Sequence, residues 1–319
     1  MPARAWVTCR MLEHRARRAA LACALVFLGA SAHAEPISVL FPDIGEPFRK
    51  VFSEIVDGIE GQAHQRVRAY PVSATQDAGE LAAQLKKSNT KVVVALGRQG
   101  LKAAGGLDPS LELVVSGVSS VPDGEKMLGI CLTPDPALLF AQLKALVPGM
   151  RRVIVVYNAQ NNDWLIKLAR DAAKAHGLEL VAHEARDMAS AARLYETAFA
   201  GADGRTDAVW LPTDATTVDE STILPLVLRE SWNRNVPIFS SSFLHVKKGA
   251  LFALYPNNAE LGKSLGTLAL TLLSGESPKR GVTPLREVHT ALNLRTASHI
   301  GLNIGARQLR NFNYLFPEP

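Results

Sequence analysis

Residues able to hold a ligand cluster directly after apolar runs. Gly97-Arg98-Gln99-Gly100 follows Val92-Val-Val-Ala-Leu96. Two glycines let a backbone come close to a ligand, and a guanidinium pairs bidentately with a carboxylate; Arg98 is otherwise a solvated loop residue. Thr213 and Asp214 follow Asp207–Leu211, where Asp214 either caps the next helix or accepts from a ligand amine or hydroxyl. Ser240-Ser241-Ser242 offers three hydroxyls in a similar place, again usable as caps. Tyr157-Asn158 ends another apolar run and could stack on and hydrogen-bond a ligand; packing is the plainer role for that tyrosine. Ser119 stands in the loop after Leu111–Ser116, and Gln99 beside Arg98 adds an amide. Asp43 and Glu46, in the loop Pro42–Pro47, suit a cationic ligand and conflict with Arg98, so the ligand's charge stays open.

The patterns that would carry catalysis are missing. No Gly-x-Ser-x-Gly elbow occurs, and Gly97…Gly105 lacks the Lys-Ser/Thr of a P-loop. His183-Glu184 has no second histidine at 187, so the metalloprotease pattern fails. The histidines at 64, 176, 183, 245, 289 and 299 are scattered, and no Gly-x-Gly-x-x-Gly appears. No metal, cofactor or enzymatic activity is expected.

The charge balance first suggests nucleic acid: 35 Lys+Arg against 30 Asp+Glu, formally +5. Its distribution says otherwise. Arg4, Arg10, Arg15, Arg17 and Arg18, with Glu13 as their one acid, precede the apolar run Ala19–Ala30 and then Ser31-Ala-His-Ala34. That order is the charged region, apolar region and Ala-x-Ala cleavage site of an export signal. The apolar run is well short of the ~20 residues a membrane span needs. Cleavage after Ala34 leaves 285 residues with 30 basic and 29 acidic side chains, without a basic stripe. The expected product is periplasmic, monomeric and not a nucleic-acid binder. Cys9 and Cys23 leave with the signal, and Cys131, among apolar neighbours, is expected to be buried and unpaired.

These site residues need elements to position them. Candidate strands are Ile37–Phe41, Lys91–Leu96, Leu111–Ser116, Arg152–Tyr157, Leu178–Ala182, Asp207–Leu211 and Val236–Ser240. Nearly continuous Val/Ile/Leu runs mark strands covered on both faces, as in a parallel sheet. Residues 163–176 and 219–234 repeat apolar positions at helical spacing, with Gly177 a stop signal for the first. A strand near Leu128–Pro134 runs into a proline-started helix, and further helix and strand–helix segments cover 259–275 and 288–302. The fold class is therefore α/β: two Rossmann-like lobes with parallel sheets, joined by a multi-strand hinge, with a ligand cleft between them. The expected divisions are a signal over 1–34, a first lobe of 35–132 plus 257–279, and a second of 133–256 plus 280–319.

From Ile37 to Ile304 the chain resembles the tryptophan/tyrosine-type ABC-transporter substrate-binding family of type I periplasmic binding proteins. The resemblance rests on Val147–Asn158, on Asp207–Asp214, on Val236–Ser240 with Val246–Leu251, on Glu260–Glu276, and on Ala291–Gly301. It implies a protein that captures a small amino-acid-like or other polar solute and delivers it to an inner-membrane ABC permease. A sensor or accessory module on the same fold is the alternative. The first lobe departs from the family pattern at Gly97–Gly100, at Val118-Ser-Ser-Val-Pro122 and at Pro42–Pro47, which lacks the family's histidine. The family's aromatic ligands are therefore not carried over.

Overall fold

The computed structural model describes residues 35–119 and 126–317. The export signal expected over 1–34, and the Ser120-Val-Pro122 part of the third first-lobe loop, lie outside the described residues.

The first series runs β1 (Ile37–Pro42), α1 (Phe48–Ala63), β2 (Arg68–Val72), α2 (Ala78–Lys87), β3 (Val92–Leu96), α3 (Gly97–Ala104), β4 (Glu112–Ser116) and β5 (Leu128–Pro134). The second runs α4 (Pro136–Leu146), β6 (Arg152–Tyr157), α5 (Ala159–Ala175), β7 (Glu179–Glu184), α6 (Met188–Ala200), β8 (Asp207–Leu211), α7 (Ile223–Arg234), β9 (Ile238–Ser240), α8 (Phe243–Lys248) and β10 (Phe252–Pro256). Then follow α9 (Asn258–Leu273), β11 (Gly281–Leu285), β12 (Val288–Asn293), α10 (Leu294–His299), α11 (Ala306–Leu309) and β13 (Tyr314–Phe316).

The strands form two sheets, a six-stranded one in the order β11-β5-β4-β3-β1-β2 and a seven-stranded one in the order β13-β12-β10-β9-β8-β6-β7. All pairings are parallel except β10–β12. The continuous apolar runs are buried along their whole length in β3 and β8, as expected of strands with helices on both faces. Each lobe has its own core. In the second, Trp210, Phe239 and Phe252 stack across three neighbouring strands, with ring centroids 6.5 and 5.2 Å apart, and Phe140 of α4 meets Trp210 edge-on at 5.7 Å. Aromatic pairs of this kind add about 0.5–1.5 kcal/mol beyond the area they bury.

Short polar side chains decide where several helices begin. Asp77, Asp135, Asn158, Asp187, Asn257 and Asn293 each accept a hydrogen bond from a first-turn N–H, satisfying a donor that the helix leaves open. The Asn158 cap starts α5 at Ala159, earlier than the apolar spacing indicates. At α7 the reverse holds: Asp219 Oδ1 ties down the N–H groups of Ser221 and Thr222, so the helix begins at Ile223 and not at 219.

Three differences from the sequence expectations have plain causes. The strand β2 went unseen because Arg68-Ala-Tyr-Pro-Val72 lies at a sheet edge with most side chains exposed, and so lacks an apolar run. β13 differs: Tyr314-Leu-Phe316 is apolar but only three residues long, too short a run to mark a strand, and it lies half-buried at the other sheet's edge. The segment Gly281–Leu285 pairs with β5 in the first sheet, so the chain enters the second lobe at Val288 and not at residue 280.

The chain passes between the sheets at 134–136, 256–258 and 285–288. These passages are tied together. The Asp135 N–H donates to Leu285 O at 2.8 Å, Arg286 ion-pairs with Asp135, and the Asn257 N–H donates to Glu287 O at 2.9 Å. In the first lobe α9 lies against α1 with backbone almost on backbone. A Cβ on Gly58 would sit 2.2 Å from Ala259 O, and one on Gly262 would sit 2.2 Å from Ile55 O.

Candidate ligand-binding site

Each passage leaves or reaches a sheet at the carboxyl ends of its parallel strands, because β5, β10 and β11 all end at one. The carboxyl ends of both sheets are therefore turned toward the same hinge, and the loops that follow them border the space between the lobes.

In the second lobe these loops are held by polar side chains. Asp214, 5% exposed, accepts from three donors: the Asn158 N–H at 2.7 Å, Asn162 Nδ2 at 3.0 Å and the Thr216 N–H at 3.0 Å. A carboxylate has about four acceptor positions, so one is left. Asp214 does not cap a helix; it ties the end of β6 to the end of β8. Asn158 is used up in the same way, capping α5 through Gln160 N–H at 3.1 Å and donating to Ala185 O at 3.1 Å. Tyr157 is packed in the core at 8% exposure, and burial pushes its phenol up. Thr213 is exposed. Ser241 is buried with its Oγ unpartnered among the described residues, and Thr217 Oγ1 is in the same state. Ser242 begins α8 without a side-chain cap bond.

Sequence reasoning missed a hydrogen-bonded chain beside these loops. Ser240 Oγ lies 2.7 Å from His245 Nδ1, His245 Nε2 lies 2.9 Å from Glu220 Oε1, and Lys248 ion-pairs with Glu220. Burial pushes the His245 imidazole below its ordinary 6.5, against the pull of Glu220, while Lys248 lowers the Glu220 carboxyl. A neutral ring satisfies every partner, with Nδ1 accepting the Ser240 hydroxyl and Nε2–H donating to Glu220. The order serine–histidine–acid is that of an activated nucleophile. Ser240 is only 1% exposed, however, and its oxygen already accepts the Ser242 N–H at 3.1 Å, so it has no room to attack a substrate. Nothing in the spacing marks this chain, since Glu220 is 25 residues from His245.

The first-lobe loops are held by close backbone packing. Gly97, with φ +69°, opens α3, and a Cβ there would lie 2.8 Å from the Pro42 ring; one on Gly117, with φ +74°, would lie 2.6 Å from Gly97 N. A Cβ on Gly100 would lie 2.7 Å from Leu40 O. The smallness of Gly100 thus serves internal packing, not the approach of a ligand. Arg98 projects from the first turn of α3, exposed and without an ion-pair partner among the described residues. Gln99 is half-buried, its Oε1 unpartnered among the described residues, and lines a 180 Å³ cavity with Ser73, Gln76 and Lys102. Asp43 donates its N–H to Val72 O at 2.9 Å, and its carboxylate is 3.9 Å from Arg49. These two line a 360 Å³ cavity with Phe41 and Phe52. Glu46 and Ser119 are exposed, and the Ser119 carbonyl accepts from Thr133 Oγ1 at 2.8 Å. The structure brings Tyr157, Asn158, Thr213, Asp214, Ser241 and Ser242 to one sheet end, and Asp43, Gly97, Arg98 and Ser119 to the other. Among the described residues, no hydrogen bond or ion pair joins the two sets.

Residues 139–310, more than half of the chain, match the family described as ABC transporter substrate binding protein. The chain belongs to this family. Membership supports ligand binding on the two-lobed α/β scaffold described above. Similar solved structures agree on the fold. An ABC domain in complex with L-Trp from Streptococcus pneumonia is 18% identical, covering 88% of this chain and 100% of that one at a TM-score of 0.54. The ligand-free, open structure of a substrate binding protein with adhesive properties from Clostridium difficile is 18% identical, covering 87% and 98% at 0.64. A conserved domain protein from Vibrio cholerae is 17% identical, covering 88% and 99% at 0.54. No curated protein matches the sequence. The family stretch begins inside α4, so the first-lobe loops that depart from the resemblance, at 42–47 and 97–100, fall before it. Among the described residues there is no helix long and apolar enough to cross a membrane and no cluster of metal-ligating side chains.

Proposed function

We propose that this substrate-binding protein is periplasmic and monomeric, takes a small amino-acid-like or other polar solute between its lobes, and delivers it to an inner-membrane ABC permease. The observation that carries this reading is the convergence of the loops at both sheets' carboxyl ends on one three-passage hinge, in a chain of this family. A ligand touching both sets of loops would favour the closed form by its differential affinity for it, and the permease would read that form.

The charges that conflict in the sequence are unequal in the fold. Asp43 has Arg49 nearby and Asp214 is largely satisfied by its own lobe, whereas Arg98 and the exposed Glu46 have no ion-pair partner among the described residues. This supports a ligand with a carboxylate directed at Arg98 and polar groups directed at Thr213, Ser241 and Ser242. A structurally similar protein was solved with L-Trp, in keeping with an amino-acid-like solute. A thermal-shift screen of amino acids, nucleosides and small acids tests the proposal. A ligand at 100 times its dissociation constant stabilises by about 2.7 kcal/mol, which raises Tm measurably. No shift with any of them at millimolar concentration would refute the cleft reading. It would favour a sensor or accessory module, a reading consistent with the internally packed glycine turn at 97–100.

A further inference from the structure

A second concavity lies at the far end of the second lobe. Phe252 at the start of β10 is paired with Leu292 near the end of the antiparallel β12. Residues following β12, and those just before β10, therefore sit at the amino ends of the parallel strands, away from Asn158, Asp214 and Ser241. There the carboxyl-terminal turn of α7, the end of α8 and the helix α10 enclose about 230 Å³.

Its wall is aromatic and cationic. Trp232 and His299 stack face to face, with ring centroids 3.5 Å apart and planes within 8°, and His299 Nε2 donates to Trp232 O at 2.9 Å. That bond fixes the ring and leaves Nδ1 free of it. The Arg295 guanidinium lies 5.8 Å from the Trp232 centroid, and Lys247 Nζ lies 4.9 Å from that of Phe243. Lys247, Lys248 and Arg295 all line the concavity, and among the described residues no carboxylate does. Only Lys248 has an acid, Glu220, among the described residues. Among the described residues Lys247 and Arg295 have ring faces and no carboxylate as partners, with Tyr314 a second ring 5.4 Å from Lys247 Nζ. Pockets for drug-sized ligands hold about 300–1,000 Å³, and this one is smaller.

We propose that this pocket binds a small oxyanion of charge two or more, a phosphate or a short dicarboxylate, held by Arg295 and Lys247 with Lys248 at its edge. Guanidinium gives paired donors to either group, and the fixed Trp232–His299 stack supplies a rigid wall at little entropic cost. The site is separate from the solute cleft and does not depend on what the cleft binds.

Trp232, an exposed side chain in the wall, reports on occupancy. The purified protein is titrated with inorganic phosphate and, separately, with succinate, at ionic strength held constant with sodium chloride, and Trp232 emission is followed against a Trp232→Phe control. The expected result is a saturable change with at least one of the two at millimolar concentration, weakened tenfold or more in Arg295→Gln and severalfold in Lys247→Gln, and unchanged in Arg98→Ala. Melting curves verify that each variant is folded, and Lys247→Gln stands in if Arg295→Gln is not. An equal response to chloride alone, a response retained in both pocket variants, or a response lost in Arg98→Ala would overturn the proposal.

Discussion

The two lobes close their carboxyl ends by opposite means. In the first, Gly97, Gly100 and Gly117 let loop and strand backbones touch, and the same device joins α1 to α9 at Gly58 and Gly262. In the second, side chains do the work: Asp214 gathers three N–H donors, and Ser240, His245, Glu220 and Lys248 form a polar chain. Backbone packing is sensitive to volume and indifferent to pH. Polar closure is sensitive to both the identity and the charge state of its groups. One fold repeated in two lobes therefore has two distinct vulnerabilities.

The strongest way to break the contrast is at Asp214. Asp214→Ala strands three donors, two of them on Asn158 and Asn162 inside the second lobe, and should cost about 3–5 kcal/mol by urea unfolding. Asp214→Asn retains one acceptor oxygen and should cost less. If alanine costs no more than about 1 kcal/mol, polar closure is not what holds these loops. Next comes Gly262→Ala, whose new Cβ would press on Ile55 O; overpacking of this kind costs about 1–3 kcal/mol. That cost should be the same at pH 5 and pH 7.

A smaller, pH-dependent effect belongs to His245. Its folded pKa is held below 6.5, mainly by burial, so below that pH the unfolded chain takes up a proton that the folded chain resists. Stability should therefore fall as pH drops from about 6.5 toward the folded pKa. His245→Gln should flatten this slope of Tm against pH; an unchanged slope assigns it to other groups. The smallest stability effect is expected at Arg98. Exposed and unpaired, it should change stability by no more than about 0.5 kcal/mol on mutation to alanine. In calorimetric titration with a cleft ligand, however, Arg98→Ala should weaken binding tenfold or more. Loss of stability without loss of affinity would reverse the roles assigned to the two lobes.

The parts of the fold most legible in the sequence are those with an unbroken apolar run, and burial on both faces is the commonest reason for one. The half-buried edge strand β7, read at Leu178–Ala182, was legible too. Val92–Leu96 and Asp207–Leu211 read as strands because both faces are covered and the apolar run is unbroken. Arg68–Val72 and Gly281–Leu285 did not, because edge strands with proline and exposed positions carry no such run. The site was legible as a set of strand-end positions, since a parallel α/β sheet places its loops there. It was not legible as chemistry. Asn158 and Asp214 are 56 residues apart and meet only because β6 and β8 are neighbours in the sheet, which no local pattern states. That pairing makes Asp214 a tie between strands and not a helix cap, and the neighbouring pairing of β8 with β9 sets the segments that hold Glu220 and His245 side by side.

The three passages between the sheets bear on how such a molecule can move. One connecting segment would leave two bodies free to swing, twist and slide. Three segments, cross-linked by Asp135 to Leu285 and by Asn257 to Glu287, define a line about which rotation is easy and other displacements are stiff. If a ligand closes the lobes as proposed, opening and closing would reduce to a single angular coordinate, and the ligand would need to supply only enough free energy to shift populations along it.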